Sequence, residues 1–250
     1  MRIPSFSYLL PGVHKSPINL YIVVHSNIYK NIDLRNTWVK SFIVEYDFEI
    51  YCERPRWVCV NKNEKQVVEI ISTNYQLKRL CEILKESNLP FNYYIGAGCI
   101  TNTIWNHLSG YPLTYGISDV DVVYFDNKDL SLRSEQKFTG YLADKIGDFP
   151  FQLDVKNQAR VHLWYEKKFG FSIQPYVSLE DAIHSWPTTA TSIGIRKEQN
   201  DLFNIYAPYN LDDLFSMIVR PNKRMITREI YHNKAIKWQK KWPKLTVIPW

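Results

Sequence analysis

Ile95-Gly96-Ala97-Gly98-Cys99-Ile100-Thr101-Asn102 and, further along, Ser118-Asp119-Val120-Asp121-Val122-Val123 decide how this chain is read. The first stretch has the form of a strand that runs through glycines into a helix. The second is a strand with two acidic residues two positions apart. Side chains alternate faces along a strand, so Asp119 and Asp121 point one way while Val120 and Val122 point into a core. Two carboxylates so close repel unless a cation offsets them, and Mg²⁺ or Mn²⁺ does so with oxygen ligands. Backbone amides at a helix N-terminus favour phosphate. Together the two stretches suggest a site for a nucleoside triphosphate and its metal.

Each half also has a plainer reading. A D-x-D pair is common on solvent-facing strands and turns. Gly96 and Gly98 can serve a tight turn or a close backbone contact without any ligand.

Working outward, the helix after the glycines carries Ile100, Ile104 and Leu108 at helical spacing, and Gly110 and Pro112 end it. Upstream, Asn74 is placed to cap a helix with Leu77, Leu80, Cys81 and Leu84 at i, i+3, i+4 and i+7. Tyr93-Tyr94-Ile95 then enters the glycines. Downstream of the strand 120–125, a helix capped by Ser134 carries Phe138, Tyr141, Leu142 and Ile146. The strand Phe151-Gln152-Leu153-Asp154-Val155 brings a third carboxylate, Asp154, as a further metal ligand or as acceptor for a proton from an attacking hydroxyl.

A helix is expected from Lys156 to Tyr165, with Lys156 and Arg160 at i and i+4 on one face. There they would offset phosphate charge, with Asn157 reading a base or ribose. Alternatively Arg160 pairs with a carboxylate, and His162 is a satisfied buried histidine. Ser178, Glu180 and Asp181 open a short helix halted at Trp186-Pro187. Segments 191–196 and 202–206 read as a hairpin, with Arg196 a weaker phosphate candidate. Helices are expected near 211–219, where Asp212 and Asp213 complement the dipole, and 228–241. Lys234, Lys237 and Lys241 line one face of the last helix, either as a solvated face or as a track for RNA.

Residues 1–68 carry no motif with chemistry. Tyr21–Val24, Phe42–Val44 and Trp57–Val60 are β-branched runs between polar breaks, so this part reads as an appendage of α+β or β-rich character ahead of a domain at 69–250.

With 250 residues the chain can bury a sizeable core, and 45% hydrophobic with 22% charged residues is ordinary for a globular protein. Aromatics reach 15%, a supply of core rings first and of base-stacking platforms second. The net charge of +6 suits anionic partners. No apolar run is long enough to span a membrane, and the start lacks the features of a secretory signal. Cys52, Cys59, Cys81 and Cys99 show no C-x-x-C spacing, so free thiols in a reducing, cytoplasmic setting are expected.

Ala97-Gly98-Cys99-Ile100-Thr101-Asn102 followed by Asp119-Val120-Asp121-Val122 resembles the glycine turn and D-x-D strand of the polymerase-β nucleotidyltransferase superfamily. Asn102–Leu108, Asp119–Asp126, Asp154–Tyr165, Trp186–Thr191, Ala207-Pro208 and Asp213–Phe215 are similar to a family of mostly bacterial nucleotidyltransferase-like proteins. The likeness covers about 69–250.

The resemblance implies an α+β fold, a mixed β-sheet flanked by helices, behind the N-terminal appendage. It implies Asp119 and Asp121 as metal ligands, Asp154 as the third carboxylate, and Gly98 in the phosphate-facing turn. With Gly96, Asn157 and Arg160 as nucleotide-binding candidates, the expected activity is metal-dependent. It moves a nucleoside monophosphate from an NTP to an acceptor hydroxyl and releases pyrophosphate, with one or two Mg²⁺ or Mn²⁺ ions. The acceptor is an RNA end, a protein or a small molecule. The alternative is an inactive nucleotide- or RNA-binding protein on the same fold. Here Ala97, Thr101 and Asn102 stand where relatives often have Gly, Arg and Asp, which removes a cation from the phosphate side.

Overall fold

The computed structural model describes residues 62–250 together with the backbone of 19–24, 27–30 and 50–53. The chain divides into two units, 1–60 and 61–250. In the first, β1 (Asn19–Val24) lies between β2 (Asn27–Lys30) and β3 (Ile50–Glu53), antiparallel to both. The strand expected at Tyr21–Val24 falls within β1, whereas those expected at Phe42–Val44 and Trp57–Val60 lie outside the described residues.

The second unit begins with α1 (Lys62–Thr73) and α2 (Tyr75–Glu86). Val67, Ile70 and Ile71 of α1 enter the same core as the rest of this unit. Asn74 caps α2 by accepting a hydrogen bond from the Leu77 amide at 3.3 Å, and Leu77, Leu80, Cys81 and Leu84 are all buried. Beyond them come β4 (Tyr93–Gly96), α3 (Gly98–Ser109), β5 (Asp119–Tyr124), α4 (Leu132–Ile146) and β6 (Gln152–Asn157). The chain continues through α5 (His162–Phe169), α6 (Leu179–His184), β7 (Gly194–Lys197) and β8 (Phe203–Tyr206). It closes with α7 (Asp212–Phe215), β9 (Ile218–Val219), α8 (Arg228–Lys241) and β10 (Thr246–Val247).

Five strands form one mixed sheet in the order β6-β5-β4-β7-β8, in which only the β5–β6 pair is parallel. The period-2 alternation of β5 shows why the register is well determined. Val122 pairs with Val155 of β6 and Ile95 of β4, and Ile95 pairs with Ile195, which pairs with Ile205. That apolar row packs into the main core with α1, α2 and α3. A slip of one residue would turn the row outward and forfeit about 1.5–3 kcal/mol for each buried Val or Ile. The next row falls on the opposite face and reads Asp154, Asp121, Gly96, Gly194, Tyr206. The candidate site stands on this second face.

Three local expectations change. The segment after Asp154 is not helical from Lys156. β6 runs to Asn157, a 3-10 turn covers Gln158–Arg160, and α5 starts only at His162. Asn157 holds the strand open to its end by clasping the loop after β5, a contact that periodicity does not reveal. Second, α4 is capped by Ser131, whose hydroxyl accepts from the Ser134 amide at 3.2 Å. Third, α7 spans only Asp212–Phe215, because Met217 turns to φ +54° and the chain passes into β9.

Candidate active site

The turn between β4 and α3 is strained. Ala97 adopts φ +54° and ψ −128°, a region that glycine enters freely and a residue with a Cβ does not. Its amide donates to the Ile193 carbonyl at 3.0 Å, which ties the turn to the segment leading into β7. The two flanking glycines have different reasons. A Cβ on Gly96 would stand 2.5 Å from the Trp186 ring and 3.0 Å from the Ile193 carbonyl, so Gly96 is required by packing. A Cβ on Gly98 would meet nothing nearer than Asn102 Nδ2 at 3.9 Å. Gly98 therefore leaves open space at the start of a twelve-residue helix.

Thr101, the residue in place of an expected cation, is fully buried. Its hydroxyl is shared between the Ala97 and Ala190 carbonyls, each at 3.1 Å, so it serves the fold. Asn102 is 9% exposed, and its Oδ1 has no hydrogen-bond partner.

On β5, Asp121 sits directly across from Gly96 on one side and Asp154 on the other. Burial, followed by the charges of Asp119 and Asp154, pushes the Asp121 carboxyl up to about 7 from an ordinary 3.8. Lys234 and Lys156 oppose that rise. Asp119 is exposed and accepts a hydrogen bond from the Ser118 hydroxyl. Asp154 pairs with Lys156, two residues on along the same strand face, at 2.7 Å.

Among the described residues no three His, Cys, Asp or Glu side chains are gathered into a metal-holding group. The donors on this face are nonetheless all carboxylate oxygens, the kind a hard divalent cation takes. The raised Asp121 carboxyl marks a place where added positive charge is favourable. On both counts the residues present fit Mg²⁺ or Mn²⁺.

Asn157 and Arg160 have internal partners. The Asn157 Oδ1 accepts from the Asp126 and Ala159 amides at 3.0 and 3.1 Å. Its Nδ2 donates to the Asp126 and Asp129 carbonyls at 2.8 and 3.2 Å. The Arg160 guanidinium meets the buried Glu135 carboxylate at 3.0 Å and the Leu130 carbonyl at 3.2 Å. Glu135 in turn accepts from the Asn157 amide at 2.9 Å. The group clamps the loop after β5 to the end of β6 and so fixes how Asp121 and Asp154 meet. Arg196 lies two strands from β5 with its guanidinium 5.0 Å over the Tyr94 ring, and His162 opens α5 with a buried Nδ1 lacking a partner. Asp213 is structural, held by Arg220 at 2.8 Å and Thr189 at 2.6 Å.

A family model described as Nucleotidyltransferase matches residues 82–247, which take in the glycine turn and all three carboxylates. The chain belongs to this nucleotidyltransferase family. No curated protein matches its sequence. Among solved structures, it is similar to a protein whose NMR structure reveals a CCA-adding enzyme head domain. The TM-score is 0.62 at 25% identity, over 76% of this chain and 98% of that one. A tRNA nucleotidyltransferase complexed with a primer tRNA and an incoming ATP analog gives a TM-score of 0.43 at 16% identity, over 68% of this chain and 46% of that one. The Thermotoga maritima CCA-adding enzyme complexed with tRNA gives 0.46 at 13% identity, over 75% and 42%. The nucleotidyltransferase chain thus spans less than half of these last two proteins.

Two residues at this candidate site were not singled out for it by the sequence. Trp186 lies against Gly96 on the carboxylate face, and only the paired glycine and tryptophan hint at it. The sequence places Lys234 with Lys237 and Lys241 on one helical face, either solvated or a track for RNA. Burial lowers its ammonium pKa, while the charges of Asp121 and Asp119 oppose the fall, so its head group stands within electrostatic reach of both carboxylates. No helix among the described residues is long and apolar enough to cross a membrane.

Proposed function

We propose that the domain transfers a nucleoside monophosphate from an NTP to an acceptor hydroxyl. The acceptor oxygen bonds to the α-phosphorus, the bond to the bridging oxygen of the β-phosphate breaks, and pyrophosphate leaves. The observation that carries this reading is the register of Asp121 with Asp154 on one face, with Asp119 two residues away and the open start of α3 one strand over.

Asp119, Asp121 and Asp154 would hold Mg²⁺ or Mn²⁺, in one or two positions. Bound there, the cation supplies neutralisation of phosphate charge and activation of the attacking oxygen. The chain's own contribution is positioning. Gly98 lets phosphate oxygens approach the first amides of α3. The clamp of Asn157, Arg160 and Glu135 would hold β5 and β6 in register, so that Asn157 and Arg160 serve the site by positioning Asp121 and Asp154 rather than by touching the nucleotide. Asp154, once released from Lys156, is placed either as a ligand or to accept the acceptor's proton. The partners are an NTP and an acceptor that is an RNA end, a protein or a small molecule, in a cytoplasmic setting.

Asp121→Asn tests this directly, with labelled NTP, each divalent cation and a panel of acceptors. Loss of labelled product in the folded variant supports the reading, and normal transfer overturns it.

A second reading has its own observation. Thr101 supplies no cation and Lys156 occupies Asp154. A binder without turnover on this fold would bind an NTP or RNA and release no pyrophosphate under any metal.

A further inference from the structure

α8 reaches the candidate site from the far end of the sequence. Trp238 and Trp242 both pack on Trp105 of α3, with ring centroids at 6.0 and 5.5 Å. Trp242 Nε1 donates to Asn106 Oδ1 at 2.8 Å, and Lys241 Nζ donates to the Gly116 carbonyl at 2.9 Å, just ahead of β5. These contacts fix α8 alongside α3. One turn back from Trp238 stands Lys234, its ammonium 5.8 Å over the Trp238 ring and within electrostatic reach of Asp119 and Asp121. One turn back from Asn106 on α3 stands Asn102, and one turn before that is Gly98.

Asn102 is the unexplained residue of α3. Its polar neighbours on the helix are all engaged: Thr101 with Ala97 and Ala190, Thr103 with Cys99 and Asn74, Asn106 with Leu113, Tyr115 and Trp242. Asn102 alone of the four has an amide oxygen buried without a partner, and its Nδ2 lies over the open space at Gly98. A buried amide left unsatisfied is costly, and such groups ask for an explanation. The unpaired Oδ1 is an acceptor and takes no bond from phosphate; it is Nδ2, over the open space, that would donate to a phosphate oxygen at the start of α3 alongside the helix amides.

We infer that Asn102 and Lys234 form the seat for the triphosphate tail, Asn102 by its amide and Lys234 by its charge, so that the cation absent at Thr101 is supplied from the C-terminal helix. This rests on the nucleotidyl-transfer reading above. It gives α8 a task in binding, with Lys234 turned to the nucleotide and Lys241 to the fold.

Three proteins test it: wild type, Lys234→Ala and Asn102→Asp, with Lys234→Arg as the charge-restoring control. Each is checked for an unchanged unfolding profile. Two probes are titrated in the presence of Mn²⁺, inorganic tripolyphosphate and a non-hydrolysable ATP analogue, alongside adenosine as a probe without phosphate. The expected result is at least tenfold weaker binding of tripolyphosphate and the analogue by Lys234→Ala and Asn102→Asp. Lys234→Arg recovers most of the loss, and adenosine binding is the same in all four. Wild-type binding with no change in either variant overturns the assignment and leaves nucleotidyl transfer standing. If the wild type binds neither phosphate probe and transfers no nucleotide, the transfer reading falls and this assignment with it. Should Asn102→Asp fail to fold, the Lys234→Ala and Lys234→Arg pair decides alone, because Lys234 lies outside the buried apolar core.

Discussion

Asp121 and Asp154 face each other across the parallel strands β5 and β6, paired residue to residue, with Gly96 on the other side of Asp121. Both acidic side chains therefore emerge on one sheet face, and burial, followed by the charges of Asp119 and Asp154, raises the Asp121 carboxyl to about 7. Such a pairing costs stability in the metal-free protein, which places the carboxylates at odds with the fold they sit on.

Asp121→Asn should accordingly do two opposite things. Transfer is expected to fall by about 10²-fold or more, since a group acting on the reacting phosphate is lost. In chelator at neutral pH the thermal midpoint should rise, because a half-buried charge beside two like charges is replaced by a neutral amide. A gain of about 1–2 kcal/mol corresponds to roughly 2–8 °C for a domain of this size. A midpoint at or below that of the wild type would show that the acidic face carries no such strain.

Ala97→Gly should stabilise the protein, although glycine is usually the poorer choice. Relief of a φ of +54° is worth about 1–3 kcal/mol, and the added freedom of the unfolded chain returns about 0.5–1 kcal/mol of it. The net expectation is a gain of about 1 kcal/mol in denaturant unfolding, with an unchanged slope. A loss would mean that the turn is not strained.

The two glycines should separate cleanly. Gly96→Ala drives a methyl into the Trp186 ring and is expected to cost about 1–3 kcal/mol. Gly98→Ala meets no crowding and lies within a helix, where alanine is favoured by up to about 1 kcal/mol. Its effect should instead appear as a raised KM for nucleotide, because the methyl occupies the space a phosphate would use. Unfolding curves and nucleotide titrations on the same pair of variants check both halves.

Asn157→Ala removes, at the end of β6, an amide that satisfies three groups of the loop after β5 and one turn amide. Orphaning buried partners costs about 1–3 kcal/mol, so the variant should be clearly less stable. Transfer should fall through kcat, as Asp121 and Asp154 lose their register, with KM for nucleotide little changed. A change confined to KM would instead make Asn157 a direct nucleotide contact.

The alternation of Asp119, Val120, Asp121 and Val122, the stripe of Leu77, Leu80, Cys81 and Leu84 and the cap at Asn74 were all legible in the sequence. They depend on neighbours a few residues apart, whose spacing the covalent chain imposes. The same locality explains the errors. Lys156 and Arg160 satisfy a helical spacing, yet Asn157 closes on Asp126 and keeps Lys156 on a strand beside Asp154. Segment 211–219 has helical composition, yet Met217 turns out of it.

The sequence by itself determined most of the strands and helices of this domain, the carboxylate strand and the turn that precedes the helix, because backbone period and turn chemistry are local; the mixed sheet was implied by the family resemblance. Only the tertiary structure decided that Asp154 lies opposite Asp121, that Trp186 rather than a ligand requires Gly96, and that Thr101 is bound to the fold. It also set Lys234 within electrostatic reach of Asp119 and Asp121. Those relationships depend on which elements pack together and in what register, and that is fixed by burial of the apolar row from Val155 to Ile205 and by Trp238 and Trp242 against Trp105, not by any spacing along the chain.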